Sequence, residues 1–303
     1  MTPRVVVIGD VMRDVLVRPE GPLAPGADTR AEIIQASGGS GANQAAWLAA
    51  MGVPARMIGR VGAADHAALC AEFRAAGVDP ALAADAQAPT GMLVALIDPD
   101  GQRSFYTSRG ANDRLCPDDL PRDLIRGAAL LHVSGYAMVA EGPRGAVAAA
   151  MRDAAAMGVP VSVDPGSASF LREIGPDRFA ALTAPASFCF PNRDEAAVLA
   201  ASDDPAIQNA RLGARYQVLA IKDGAGPAQI FEGGVLVAQG APAPIRAIDT
   251  TGAGDAFFAG FIAARLGGAA PPDCLAAAHA AGARAVMRLG ARPSPQLSTG
   301  SLA

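Results

Sequence analysis

The chain has 303 residues, a formal net charge of −4 and 51% hydrophobic residues, enough for a sizeable core in one large α/β unit. The acidic balance and the lack of any Lys/Arg block argue against a nucleic-acid surface. No apolar run is long enough to span a bilayer, which argues against a membrane protein.

Arg4 to Asp10 is a β-branched run ending in Gly-Asp and reads as a buried parallel strand. Open α/β sheets carry ligands at the carboxyl ends of such strands, which makes Asp10 and Asp14 candidates for substrate contact as well as ordinary turn acids. Residues 15–36 hold prolines, glycines and alternating apolar positions, the composition of edge strands and turns. Ser37-Gly38-Gly39-Ser40-Gly41-Ala42-Asn43 then opens a helix predicted to run through Met51, with Gly52 as its C-cap. Gly38 and Gly39 let a ligand approach the backbone, and Asn43 can both donate and accept. A strand is expected over Arg56–Gly62 and a helix over Asp65–Ala76. Met92–Asp98 and Arg103–Ser108 flank Pro99-Asp100-Gly101 as a hairpin, with Tyr106 and Arg109 at its far end. Arg109 reads as a carboxylate-pairing fork or as a solvated loop arginine.

From residue 128 strands and helices alternate: strands over Ala129–Ser134, Val159–Asp164, Ser187–Phe190 and Gln217–Ile221, and a helix over Gly145–Met157. This pattern predicts a mainly parallel sheet with helices on both faces. Asn192 and Glu195 have the spacing of a capping box at a helix start. Lys222-Asp223-Gly224-Ala225-Gly226 follows a strand end, and Lys222 reads equally as a surface lysine or a ligand contact. Val235–Val237 and Pro244–Ile248 look extended. They lead into Asp249-Thr250-Thr251-Gly252-Ala253-Gly254-Asp255 and a helix over Ala256–Leu266, so the expected order is strand, glycine turn, helix. Gly252 and Gly254 permit φ > 0, and the N–H groups and dipole of the new helix favour an anion there. A carboxylate beside such a nest, Asp255, is placed to take a proton from an attacking hydroxyl. A last helix is expected over Pro272–Leu289, with His279 on it, before Gly290.

Four of these motifs, in order, resemble the ribokinase-like (PfkB-type) carbohydrate kinases, and the resemblance spans Asp10 to Ser294. It implies a three-layer α/β fold of one domain, residues 1–303, with a small β lid formed by about 12–37 and 90–110. It implies that Gly252, Ala253 and Gly254 form the anion hole for the transferred phosphoryl and that Asp255 is the catalytic base. Sugar would be held by Asp10, Asp14, Gly38, Gly39 and Asn43, with Tyr106 and Arg109 contributing if the substrate is acidic. ATP would contact Asn192, Lys222, Gly224, Gly226 and His279. Mg²⁺ would be organised through water by Glu195 and Asn192, and a monovalent cation such as K⁺ by Asp249, Thr251 and the Gly290 loop.

Three departures touch these expectations. Ser40 stands where ribokinases have Lys, and Ser134-Gly135-Tyr136 where they carry an acid, which disfavours ribose. Pro227 replaces the second glycine of the nucleotide loop. Fructose, 2-keto-3-deoxygluconate and ribose-like sugars all stay open. A nucleoside kinase and a non-catalytic sugar-binding protein are the rivals; aromatic residues are only 5% of the chain, few for a base slot. Scattered Cys70, Cys116, Cys189 and Cys274 suit reduced thiols in the cytoplasm. The lid strands, as open edges, are expected to pair in a homodimer.

Overall fold

A computed structural model describes residues 4–22, 26–97 and 103–293. Its strands are β1 (Val5–Ile8), β2 (Met12–Pro19), β3 (Ala31–Gly38), β4 (Ala55–Gly62), β5 (Val78–Asp85), β6 (Gly91–Ile97), β7 (Arg103–Ser108), β8 (Leu130–Ser134), β9 (Val161–Asp164), β10 (Phe188–Cys189), β11 (Val218–Ile221), β12 (Ala228–Glu232) and β13 (Val235–Gly240). The helices are α1 (Ser40–Ala50), α2 (Ala63–Ala75), α3 (Arg122–Ile125), α4 (Glu141–Ala156), α5 (Ala168–Ile174), α6 (Pro176–Leu182), α7 (Arg193–Ala200), α8 (Pro205–Gly213), α9 (Ala253–Leu266) and α10 (Pro271–Val286).

Nine strands form one sheet in the order β13-β12-β11-β10-β9-β8-β1-β4-β5. It is parallel from β11 to β5, and β12 and β13 add antiparallel at one edge. Strand alternation sorts the side chains into two cores. Val5 and Val7 join Trp47, Phe73 and Phe258 on the side of α1, α2, α9 and α10. Val6 and Ile8 join Val133, Met151 and Phe179 on the side of α3 to α8. This is the predicted three-layer arrangement, with near-continuous apolar strands because both faces are covered. A separate four-stranded sheet, β3-β2-β6-β7, carries the two segments expected to form a lid. Among the described residues no helix is long and apolar enough to cross a membrane.

Several boundaries differ from the sequence reading for local reasons. Pro244–Ile248 is not a strand: residues 241–250 are irregular, since Pro242 and Pro244 have no N–H to give a ladder. The last helix stops at Val286 rather than Leu289, because the Val286 carbonyl accepts from Ile248 N and Asp249 N instead of continuing the helix. Helix α4 starts at Glu141, with Pro143 tolerated in its first turn. β5 went unread because Pro80 interrupts it; as an edge strand pairing only with β4, it can hold a proline. The Pro99-Asp100-Gly101 turn and Ser294 lie outside the described residues, while the β6–β7 pairing that the turn was expected to join is present.

Candidate active site

The parallel strands end at a cleft of about 950 Å³, lined from the main sheet by Asp10, Asp164 and Lys222, and from the four-stranded sheet by Leu93, Phe105 and Thr107. Asp255 lies at its floor in the first turn of α9. Gly252 caps that helix with φ +77°, and a Cβ there would sit 2.6 Å from the Ala291 carbonyl oxygen, so the turn excludes any side chain. The N–H groups of Gly254 and Asp255 fall in a turn that has no helical carbonyl to accept them, which suits an anion.

Both Asp255 oxygens are held by one turn of α1. Ser40 Oγ donates to Oδ1 at 2.7 Å and Asn43 Nδ2 to Oδ2 at 3.0 Å. Burial pushes the Asp255 carboxyl up to about 7, and Asp164 adds to the rise. Asn43, read as a sugar contact, is thus first a partner of Asp255; its Oδ1 is enclosed without a partner and the residue lines the cleft. The Ser40 contact was invisible in the sequence, where the two residues are 215 positions apart.

The far wall of the cleft is acidic. Asp10 Oδ1 accepts from Gly41 N at 3.1 Å and stands beside Ser134 Oγ. Asp14 lies against Gly38, where a Cβ would collide with its carboxylate; burial and Asp10 push it up to about 6. Gly39, φ +93°, packs on the Asp10 carbonyl. Arg109 reaches the cleft, yet its Nη2 donates to the Tyr136 carbonyl at 2.6 Å and its Nε to Asp113 Oδ1 at 2.9 Å. It is not a solvated loop arginine. Tyr106 is not brought to the cleft. It alternates with Phe105 and Thr107 along β7, which line the cavity, and is 64% exposed.

On the opposite side, Asn192 and Lys222 are neighbours through an isolated parallel bridge beyond β10 and β11. The capping box is formed: Glu195 N donates to Asn192 Oδ1, Asn192 N to Glu195 Oε2, and Asn192 Nδ2 to Glu195 Oε1, all at 2.8–2.9 Å. Burial pushes the Glu195 carboxyl up to about 7. Lys222 is not on the surface. It is half-buried, its side chain 13% exposed, and its Nζ donates to Asp164 Oδ2 at 2.7 Å beside the Gly254 backbone. Asp164 was missed in the sequence, although it ends β9 as Asp10 follows β1.

A second, largely apolar cavity of about 520 Å³ meets the cleft at Lys222, Gly224 and Gly254, and its wall includes Phe257, Val286 and His279. His279 packs edge-on to Phe257 at 5.7 Å. Gly226 lines neither cavity; its N–H closes a turn on the Asp223 carbonyl at 2.7 Å. Asp249 accepts from Thr251 N at 2.7 Å and Gly290 N at 3.0 Å, joining the two segments expected at a cation site. Among the described residues no group of three or more His, Cys, Asp or Glu could hold a metal alone.

The pattern of pfkB family carbohydrate kinases matches residues 2–297. This chain belongs to that family. Family relatives include an ATP-dependent ribose-1-phosphate kinase of Halopiger xanaduensis, 34% identical over 300 residues that cover 96% of this chain and 95% of the relative. A fructokinase of Klebsiella pneumoniae is 34% identical over 91% of this chain and 89% of its own. Among solved structures, Arabidopsis thaliana ribokinase complexed with ribose and ATP superposes with TM-score 0.78 at 27% identity, covering 96% of this chain and 95% of that one. Adenosine kinase from Sinorhizobium meliloti shares the fold, with TM-score 0.85 at 24% identity and 97% of both chains covered. The chain is therefore a kinase of the ribokinase-like fold, a phosphotransferase with a hydroxyl acceptor on a sugar or nucleoside, and not a mere sugar-binding protein.

Proposed function

We propose that this chain, acting as one domain with β2, β3, β6 and β7 as its lid, transfers the γ-phosphoryl of ATP to a neutral sugar. The observation that carries this reading is the place of Asp255. It sits where an acidic cleft and an apolar cavity meet at one glycine nest, its carboxylate held at both oxygens. The apolar cavity suits an adenine against Phe257 and His279. The acidic cleft suits a polyol, whose hydroxyls donate to Asp10 and Asp14.

In this reading Asp255 accepts the proton of the attacking hydroxyl as the oxygen approaches the γ-phosphorus. The N–H groups of the Gly252–Gly254 turn hold the charge spreading over the phosphoryl oxygens. Phosphoryl transfer is mostly positioning and electrostatics, so these groups need little movement. Lys222, kept charged by Asp164, stands beside the same turn. The acidic lining of Glu195, Asp164 and Asp194 fits Mg²⁺ only together with nucleotide phosphates and through water, since the Glu195 oxygens are already used in the cap. When bound, Mg²⁺ would neutralise phosphate charge. The Asp249–Thr251 and Gly290 segments are where K⁺ would act, and replacing it with tetramethylammonium should slow such an enzyme.

The neutral class is favoured over sugar acids and sugar phosphates because Arg109 is already engaged by Asp113 and the Tyr136 carbonyl, while Asp10 and Asp14 repel an anion. Phe105 on the lid gives a nucleoside a ring to stack on, which keeps adenosine as the second reading. The test is ATP turnover on fructose, ribose, 2-keto-3-deoxygluconate, ribose-1-phosphate and adenosine. A neutral sugar should give the highest kcat/KM, and Arg109→Ala should leave the neutral-to-acid ratio nearly unchanged. An acid preferred by the wild type and lost in Arg109→Ala, by roughly 10- to 150-fold, would overturn it.

A further inference from the structure

Three consecutive residues after α10 fasten parts of the site that serve different reactants. Gly290 N donates to Asp249 in the loop before the nest. Ala291 packs on Gly252, and its carbonyl accepts from Trp47 Nε1 at 2.9 Å, which fixes it to the middle of α1. Arg292 Nη2 donates to the Gly38 carbonyl at 3.0 Å, and its guanidinium lies 4.9 Å over the Phe73 ring. The strap therefore runs from the anion hole to the glycine loop against which the Asp14 carboxylate rests.

Two opposite charges in this region are each left one bond short. Arg292 Nε and Asp14 Oδ1 are both enclosed without a hydrogen-bond partner. The neighbouring charges are otherwise committed: Glu72 accepts from Arg13 at 2.8 Å and from Ser37 at 2.7 Å. Asp10, the other acid facing Asp14, opposes its ionisation, and Arg292 favours it. Glu72, Asp14 and Asp10 in turn support the charge on Arg292, whose burial lowers it to about 10. A carboxylate oxygen enclosed without a partner is costly, so the Arg292 charge has a task beyond packing.

We propose that Arg292 is a positioning residue for the acceptor: it fastens the Gly38 loop and the Asp14 carboxylate, through Ala291, to the Gly252 anion hole. Acceptor and phosphoryl group are then held in one register, and loss of the strap misplaces the acceptor first. This rests on the kinase reading for what the two loops bind, but the mechanical link stands apart from it.

The experiment compares Arg292→Gln and Arg292→Lys with the wild type in two ways. Amide hydrogen exchange on the ligand-free protein should quicken in Arg292→Gln at residues 37–41 and 250–253 together, with α7 unchanged. In turnover with D-fructose and D-ribose as probes, Arg292→Gln should raise the KM of the sugar used by about tenfold and leave the KM for ATP within about twofold. Arg292→Lys, which keeps the charge, should recover most of the sugar KM. Equal rises in both KM values, or a lysine variant no better than glutamine, would overturn the proposal, as would exchange that quickens at neither loop or at one alone. If the wild type phosphorylates neither probe, the neutral-sugar reading fails while the exchange result still decides the strap. Should Arg292→Gln fail to fold, Phe73→Leu removes the stacking that holds the guanidinium and serves the same comparison.

Discussion

In its proposed role as base, Asp255 pits stability against function within a single side chain. Its carboxyl is pushed from an ordinary 3.8 up to about 7 by burial and by Asp164. Between those two values the folded protein binds more protons than the unfolded one. This group's contribution to stability is therefore full at low pH and is lost as pH rises through 7. The proposed catalysis runs the other way, because only the ionised carboxylate can accept a hydroxyl proton. The acid limb of kcat/KM should accordingly fall near pH 7, and a limb near 4 would show that Asp255 is not the base. Asp255→Asn should cost about 10²- to 10⁴-fold in turnover. At pH 8 it should melt no lower than the wild type, since it removes a buried charge; a gain of about 1 kcal/mol would appear as roughly 2–4 °C. Calorimetry at pH 5 and pH 8 checks this, with the larger stability difference expected at the higher pH, because pH 5 lies inside the window between the two values. A melting loss at pH 8 would mean that the Ser40 and Asn43 hydrogen bonds outweigh the burial of the charge.

At the scale of elements, α7 is where one local motif is proposed to carry two tasks. The capping box is complete, yet Glu195 is also buried in the cleft with its carboxyl pushed up to about 7. Glutamine is also a good third residue for a capping box, so Glu195→Gln keeps one cap acceptor and removes the charge. It should leave the melting temperature nearly unchanged and raise the Mg²⁺ needed for half-maximal rate. A lowered melting temperature with an unchanged Mg²⁺ titration would reduce Glu195 to a cap. This element also marks the limit of what the sequence can tell. The cap, the nest at Gly252–Gly254 and the end of β1 at Asp10 are local patterns, legible because the residues that make them are adjacent in the chain. The strand periods announced the two-faced sheet for the same reason. What stayed hidden depends on distant partners. Ser40 reaches Asp255, Lys222 reaches Asp164, and Arg292 reaches Gly38, each across more than 50 positions. Tyr106 misled because period-two alternation says that neighbours face apart, but not which of them faces the cleft.

At the scale of the molecule, the lid sheet has two apolar faces, and only one is used by the cleft. Residues paired across its strands share a face: Leu93 with Thr107, and Ala95 with Phe105, on the side of the cavity. The other face carries Val15 beside Val94 and Tyr106, with Val17 between Ile33 and Leu96, and Met92. Ile33, Met92 and Tyr106 there are 62%, 47% and 64% exposed. β3 and β7 also end the sheet with open edges, which proteins tend to cover or pair. An apolar face bounded by open strands fits a second copy of the same lid, packed by a two-fold axis so that each copy covers the other. The expected state is therefore a homodimer joined through the lids. Ile33→Lys with Met92→Lys places like charges in the middle of that contact without touching the cleft. Sedimentation velocity should move the double variant from dimer to monomer, and its acceptor KM should rise because an unsupported lid closes less firmly over the sugar. A wild type that sediments as a monomer at micromolar concentration would end this argument. A dimer unaffected by both lysines would place the contact elsewhere, and the apolar outer face would then have to be explained by the packing of the lid alone.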